Sequence, residues 1–268
     1  MISLPDVTLV AVDNVAPELM ALAIEDSRRE VSFDHAVLFS DCANAPDGTR
    51  VIYSSPRNMV DATMEYWTGV KRIVHTSHFL VIQWDSWIIR PDCWCDEFLQ
   101  YDYIGAPWRY RDGRNVGNGG FSLRSMNLVD AVLDEPEIIH EIKNGIHNED
   151  EIVGRQYRGL LEAAYGIRFA PEGVAFRFSR ERNGWDRPEA SFGFHGIFNW
   201  HRVLDTTGLM KRSLLINDYV RSRPEYKGFV HSYHQLAGRY CGRLPLSPRR
   251  LPGNRRFLRG LYLWLRGC

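Results

Sequence analysis

Apolar positions along the chain follow two periods. Val7 to Asp13 (VTLVAVD) is a short β-branched run ending on an acid, the pattern of a strand buried in a parallel sheet. Pro17 to Glu30 sets Leu19, Leu22, Ala23 and Ile24 among charges and predicts a helix; His35 to Asp41 (HAVLFSD) predicts the next strand. A further helix is predicted over Asn58 to Val70. Phe79 to Ile89 (FLVIQWDSWII) reads as one apolar strand, interrupted by an acid and closed by Pro91. Tyr101 to Trp108 (YDYIGAPW) reads as a strand entering a turn at Gly105 and Pro107. After the glycines of Asn115 to Ser125 (NVGNGGFSLRS), FSLRS reads as a short strand, and Ser125 to Leu133 begins a helix that Ser125 caps. Asn148 to Ala164 is predicted as one helix with Ile152, Val153, Tyr157, Leu160, Leu161 and Ala164 on one side. Strands alternating with helices predict an α/β fold, a mainly parallel sheet flanked by helices.

From about Asn199 the periodicity weakens, and the chain is expected to divide into a domain over 1–200 and a helical extension over 201–268. RLPLSPRRLPGNRR is a Pro/Arg linker, and FLRGLYLWLRGC sets Phe257, Leu258, Leu261, Trp264 and Leu265 among arginines. A basic amphipathic helix of that kind can lie on anionic lipid. A terminal helix packed on the domain with its arginines in solvent explains the pattern equally well.

Charge changes this picture only locally. The 33 basic and 33 acidic residues cancel, which leaves no overall field to gather nucleic acid, and none is expected as a partner. After Lys227, however, no Asp or Glu follows, whereas eight arginines from Arg239 to Arg266 do. The 5 cysteines (Cys42, Cys93, Cys95, Cys241 and Cys268) show no CxxC spacing, so a reducing compartment is the simpler reading. The opening MISLPDVTLVAVDN has no basic leader and meets Asp6 and Asp13 early, and no apolar run approaches the ~20 residues of a membrane span. A cytoplasmic location is expected, with the inner membrane face as a place the basic tail would suit.

Four places carry candidate chemistry. Asp85, in Gln83-Trp84-Asp85-Ser86-Trp87, puts a carboxylate in an apolar strand, where it needs a partner or a cation; an acid capping a loop at a strand end explains it as well. Gly117, Gly119 and Gly120 do not make a G-x-G-x-x-G dinucleotide fingerprint. They suit a backbone that a sugar or pyrophosphate lies against, or a tight turn. In His147-Asn148-Glu149-Asp150-Glu151, Asn148 and Glu151 have capping-box spacing, while Glu149 and Asp150 are free to face a ligand, one of them as a general base. His195, in FGFHG, is flanked by glycines and aromatics and is a candidate metal ligand or a satisfied structural histidine.

In this order the four places resemble the GT-A glycosyltransferase superfamily. The motifs YDYIGAPW, GNGGFSLRS and FGFHG resemble most a bacterial and fungal group of glycosyltransferase-like proteins known mainly as a domain of unknown function, over roughly Val7 to Trp200. The resemblance implies a GT-A-like fold and a nucleotide-diphosphate sugar donor, with a glycan or lipid-linked acceptor. It sets Gln83-Trp84-Asp85 where the superfamily has D-x-D, with Gln83 in place of the first acid. Asp85 and His195 are then the implied ligands of Mn²⁺ or Mg²⁺. Asp150 is the implied base of an inverting reaction, and Glu149 a contact to acceptor or sugar. Asn118, Gly119 and Gly120 line the implied donor and acceptor site, Asp13 stands by the nucleoside, and Trp108 near the acceptor. Gln83 is left to bond ribose or phosphate, and Arg124 to offset leaving-group charge if no metal binds. Assembly of a surface polysaccharide or glycan is the implied setting. A binding protein that kept the fold and lost turnover is the second reading, supported by Gln83. A nucleotidyltransferase ranks last, because no Gly-rich basic loop follows VTLVAVD.

Overall fold

The computed structural model of the protein describes residues 1–14, 16–181 and 191–222. The chain opens with β1 (Ile2–Leu4), β2 (Val7–Val12) and α1 (Pro17–Arg28), then β3 (Val31–Phe33), β4 (Ala36–Ser40), β5 (Thr49–Tyr53) and α2 (Met59–Ile73). There follow β6 (His78–Ile82), β7 (Ser86–Ile88), β8 (Tyr103–Gly105), β9 (Phe121–Ser125), α3 (Met126–Asp134) and α4 (Pro136–Asn144). A three-residue helix, α5 (Glu149–Glu151), runs into a π-helical turn (Ile152–Gln156) and α6 (Arg158–Tyr165), before α7 (Glu172–Phe178), β10 (Ser179–Arg180) and β11 (Gly193–His195). These elements lie in one compact unit, Met1–Gly196; α8 (Trp200–Val203) and α9 (Thr206–Ser222) belong to a second, Ile197–Cys268.

The central sheet has the order β5-β4-β2-β6-β9-β8. β5, β4, β2 and β6 are parallel, and β9 runs antiparallel between β6 and β8. This is the expected α/β class. Every residue of β6 is buried, as a strand covered on both faces requires. On one face Val10, Val37, Phe79 and Val81 meet Tyr66, Trp67 and Val70 of α2, with α3 and α4 completing the layer. On the other, Phe121 stands against Phe178 and Phe192.

Local chemistry accounts for the helix starts. Pro17 presets the first turn of α1, Asn58 accepts from the Asp61 amide at 2.9 Å, and Ser125 accepts from the Leu128 amide at 3.1 Å.

Two expected elements are broken in the structure, and both breaks bear on the site. The run Phe79 to Ile89 is two strands in different sheets. β6 ends at Ile82; the chain turns at Gln83–Asp85, where the Ser86 amide donates to the Gln83 carbonyl at 3.0 Å and the Ser86 hydroxyl accepts from the Gln83 amide at 2.8 Å. β7 then joins the small sheet β10-β11-β7.

The helix expected over Asn148 to Ala164 is likewise interrupted by the π-helical turn, and Ala164 lies exposed while Ile152, Val153 and Leu161 are buried. The interruption coincides with a backbone approach: a Cβ on Gly154 would lie 3.1 Å from the Gly117 Cα. The capping box is absent too. Asn148 makes no side-chain cap, because the Glu151 amide it would serve donates to Asp150 Oδ1 at 2.9 Å instead.

The basic tail, Trp185, Cys241 and Cys268 lie outside the described residues. Among the described residues, no helix is long and apolar enough to cross a membrane.

Candidate active site

β11 pairs antiparallel with β7, setting His195 opposite Ser86 and so beside the turn after β6. His195 Nε2 lies 3.5 Å from Asp85 Oδ1 and 3.3 Å from Gln83 Oε1, and Nδ1 lies 3.6 Å from Glu181 Oε1. Burial disfavours the imidazolium, but Asp85, Glu181 and Asp150 outweigh it and raise the His195 pKa to about 9. The Ser86 hydroxyl donates to the Gly120 carbonyl at 2.7 Å and ties this corner to the glycine loop.

None of Gly117, Gly119 and Gly120 has a positive φ, so their need for glycine is steric. A Cβ on Gly120 would lie 2.2 Å from His195 Nε2. On Gly117 it would lie 2.7 Å from the Trp108 ring, and on Gly119 2.9 Å from Arg124 Nη2 and 3.1 Å from Asp150 Cβ. The bare backbone makes room first for the protein's own side chains. Gly119 and Gly120 also line the cavity described below.

Glu149 and Asp150 begin α5 under this loop and have different environments. Glu149 is paired with Arg124, a β9 residue 1% exposed. Among the described residues Asp150 has no such partner; Oδ2 accepts from the Gly119 amide at 3.0 Å and Oδ1 from the Glu151 amide. Burial and the Glu149 charge outweigh those bonds and Arg124, and raise the Asp150 pKa to about 6.

These groups face one cavity of about 1050 Å³, in the size range of ligand sites. Gln83, Trp108, Asn118, Gly119, Gly120, Arg124, Glu149, Asp150 and His195 all line it. Asp85 does not; it sits behind His195, 8% exposed. Asp13 stays out of the lining as well, its carboxylate accepting from the Ala16 amide at 2.9 and 3.0 Å.

Sequence reasoning missed Glu181, Arg109, Tyr110, Tyr66, Met59 and Ile146, which also line the cavity, and Gly154 behind it. Only Arg109 and Tyr110, next to Trp108, and Ile146, next to His147, were within reach of a sequence signal. The rest arrive from elements whose contacts are set by tertiary packing.

A divalent cation between Asp85 and His195 would have to displace the proton that the neighbouring acids hold on the imidazole up to about pH 9. Ligand atoms each ~2.1–2.2 Å from one ion stand about 3 Å apart when adjacent, close to the 3.5 Å observed. Among the described residues, no group of three His, Cys, Asp or Glu side chains could hold a metal. A cation held here would take its remaining ligands from water and phosphate oxygens, the habit of Mg²⁺.

The family model described as "Protein of unknown function (DUF5672)" matches residues 59–195, more than half of the chain. The chain belongs to this family. The matched span contains Gln83, Asp85, the glycine loop, Glu149, Asp150 and His195, and leaves Asp13 outside.

No curated protein matches the chain. Similar solved structures include an active-site mutant of LgtC, 12% identical with a TM-score of 0.44, covering 79% of this chain and 95% of that one. The galactosyltransferase LgtC with donor and acceptor sugar analogues is 14% identical with a TM-score of 0.42, covering 82% and 99%. A glycosyltransferase involved in glycosylation of the PBCV-1 major capsid is 10% identical with a TM-score of 0.44, covering 72% and 95%.

Proposed function

We propose that this chain is a glycosyltransferase that moves a sugar from a nucleotide-diphosphate donor to a hydroxyl acceptor with inversion. One observation carries the reading: the half-buried Asp150 carboxyl faces the same cavity as the His195–Gln83 corner, with its pKa raised to about 6. A base with that pKa is ionised at neutral pH yet holds a proton far better than an ordinary aspartate. Its neighbour is unsuited to the role, because the Glu149 carboxyl is already engaged by Arg124.

In the proposed reaction, Asp150 takes the proton of the acceptor hydroxyl as its oxygen forms a bond to the anomeric carbon. The bond from that carbon to the donor diphosphate breaks on the opposite face, and the diphosphate leaves with the electron pair. Gly119 and Gly120 keep the loop low enough for both sugars, and Trp108 offers a ring face at the acceptor side. Asp85 and His195 would hold Mn²⁺ or Mg²⁺, which offsets charge on the leaving diphosphate. Gln83 would bond a donor oxygen. The acceptor is a glycan or lipid-linked sugar, and the basic tail would bring the enzyme to an anionic membrane face.

The test is a thermal-shift screen of the full chain against UDP-, GDP-, CMP- and dTDP-sugars, each with Mn²⁺ and with EDTA. A ligand that binds only the folded state raises Tm. A metal-dependent shift followed by transfer to an acceptor supports the proposal. Binding with no turnover in any acceptor mixture would move the assignment to a carbohydrate-binding protein, and no shift from any donor would end it.

A further inference from the structure

Arg124 enters the site from the core side. Its guanidinium is on the face of β9 covered by α2, with Cζ 5.6, 5.4 and 4.9 Å from the ring centroids of Tyr66, Trp67 and Tyr103. Nε donates to the Ser122 hydroxyl at 2.9 Å, Nη2 to the Tyr103 hydroxyl at 3.4 Å, and Nη1 to Glu149 Oε1. Tyr103 in turn donates to the Gly117 carbonyl at 2.5 Å. The guanidinium therefore ties the glycine loop, through Tyr103, and the start of α5, through Glu149, to one rigid strand. With its side chain 2% exposed, it has almost no surface to offer a phosphate.

We infer that Arg124 is a positioning residue: by anchoring Glu149 and Tyr103 it holds Asp150 against the Gly119 amide, and it binds neither donor nor acceptor. This rests on the reading of Asp150 as the base and assigns a leaving-group role away from Arg124. A buried cation of this kind is costly unless paired, and here the three rings and Glu149 compensate it together. Lysine cannot substitute, because a single ammonium cannot serve Ser122, Tyr103 and Glu149 in the fork geometry of arginine. The charged and titratable groups around Asp150 are Glu149 and Glu151 on its own turn, Arg124 and Tyr103 from the central sheet, and His195 from the small sheet.

The test compares wild type with Arg124→Lys and with Arg124→Met/Glu149→Met, which removes both charges together and so avoids leaving one buried and unpaired. Three quantities are read in the full chain: donor Kd, the Asp150 titration midpoint by carboxyl NMR, and transfer rate against pH. The expected result is donor Kd within about twofold of wild type, a displaced Asp150 midpoint, and kcat lowered roughly 100-fold, the cost of a misplacement near 1 Å. Donor affinity falling in step with kcat would overturn the inference by making Arg124 a ligand contact. An unchanged midpoint and unchanged kcat in the double variant would overturn it as well. If wild type transfers no sugar yet the Asp150 midpoint moves in Arg124→Lys, which keeps the charge and changes the geometry, the positioning role stands and the glycosyltransferase reading falls.

Discussion

Replacing Gly120 with alanine adds one methyl group and is expected to dislodge His195. The new Cβ would lie 2.2 Å from Nε2, 2.3 Å from Cδ2 and 2.7 Å from Cε1, whereas ordinary contact begins near 3.4 Å. The ring must retreat by about 1 Å, since the repulsive wall at these distances is steep. Its backbone is fixed by pairing with β7, and its nitrogens sit among Asp85, Gln83 and Glu181, so the retreat lengthens those contacts. Overpacking of this kind costs about 1–3 kcal/mol. Gly119→Ala is the internal comparison. Its nearest contact, 2.9 Å to Arg124 Nη2, is a much milder overlap than the 2.2 Å at Gly120, so a smaller loss is expected. Urea unfolding of both variants, with NMR titration of His195, makes the measurement. The expected order of stability is wild type, Gly119→Ala, Gly120→Ala, with the His195 pKa lowered in the last. A Gly120→Ala protein as stable as wild type, with His195 titrating unchanged, would refute the packing argument.

The other expectations concern charge. Asp150→Asn should lose transfer by roughly 10²–10⁴-fold, the usual worth of a general base, while donor Kd stays near wild type; a large loss of donor binding would make Asp150 a binding group. In the wild type, kcat/KM should rise with pH through about 6 and level off above it, lying about tenfold lower at pH 5 than on the plateau. A profile flat from pH 5 to 8 would remove Asp150 as the base. For stability in EDTA, the relevant group is His195, whose folded pKa of about 9 lies above its ordinary 6.5. Its contribution is therefore complete below pH 6.5 and lost as pH rises through 9, by about 3 kcal/mol at most. Unfolding free energies of wild type and His195→Gln, measured at pH 6 and pH 9.5, should converge at the higher pH; a constant gap would contradict the charged histidine.

Much of the architecture was legible because it depends on local pattern. Continuous apolar runs located β2, β4 and β6, and Pro17, Asn58 and Ser125 marked helix starts by chemistry that acts within one turn. Two errors fell where a residue distant in the chain meets the backbone, and a third fell to a neighbour. Gln83 to Ser86 has no proline or glycine to announce a turn, and its break depends on Ser86, whose hydroxyl also reaches Gly120. The helix after Asn148 keeps an apolar stripe through its interruption, and the π-helical turn coincides with the approach of Gly154 to Gly117 across the fold. The capping box had the correct spacing and lost to Asp150, a competitor one residue away.

By itself the sequence determined the α/β class, the positions of the main strands and helices, and the short set of acids, glycines and histidine worth examining. Those follow from periodicity and side-chain chemistry, which are properties of neighbours in the chain. Tertiary structure decided which of these residues meet. It set His195 beside Asp85 through an antiparallel pairing, gave the glycines side chains of the protein to accommodate, and turned Arg124 inward to Glu149. It also separated by environment two adjacent acids that the residues alone left equivalent and that only the family resemblance had told apart. Charge and burial act through space, so the carboxyl paired with arginine and the one raised to about 6 are distinguished only once the chain is folded.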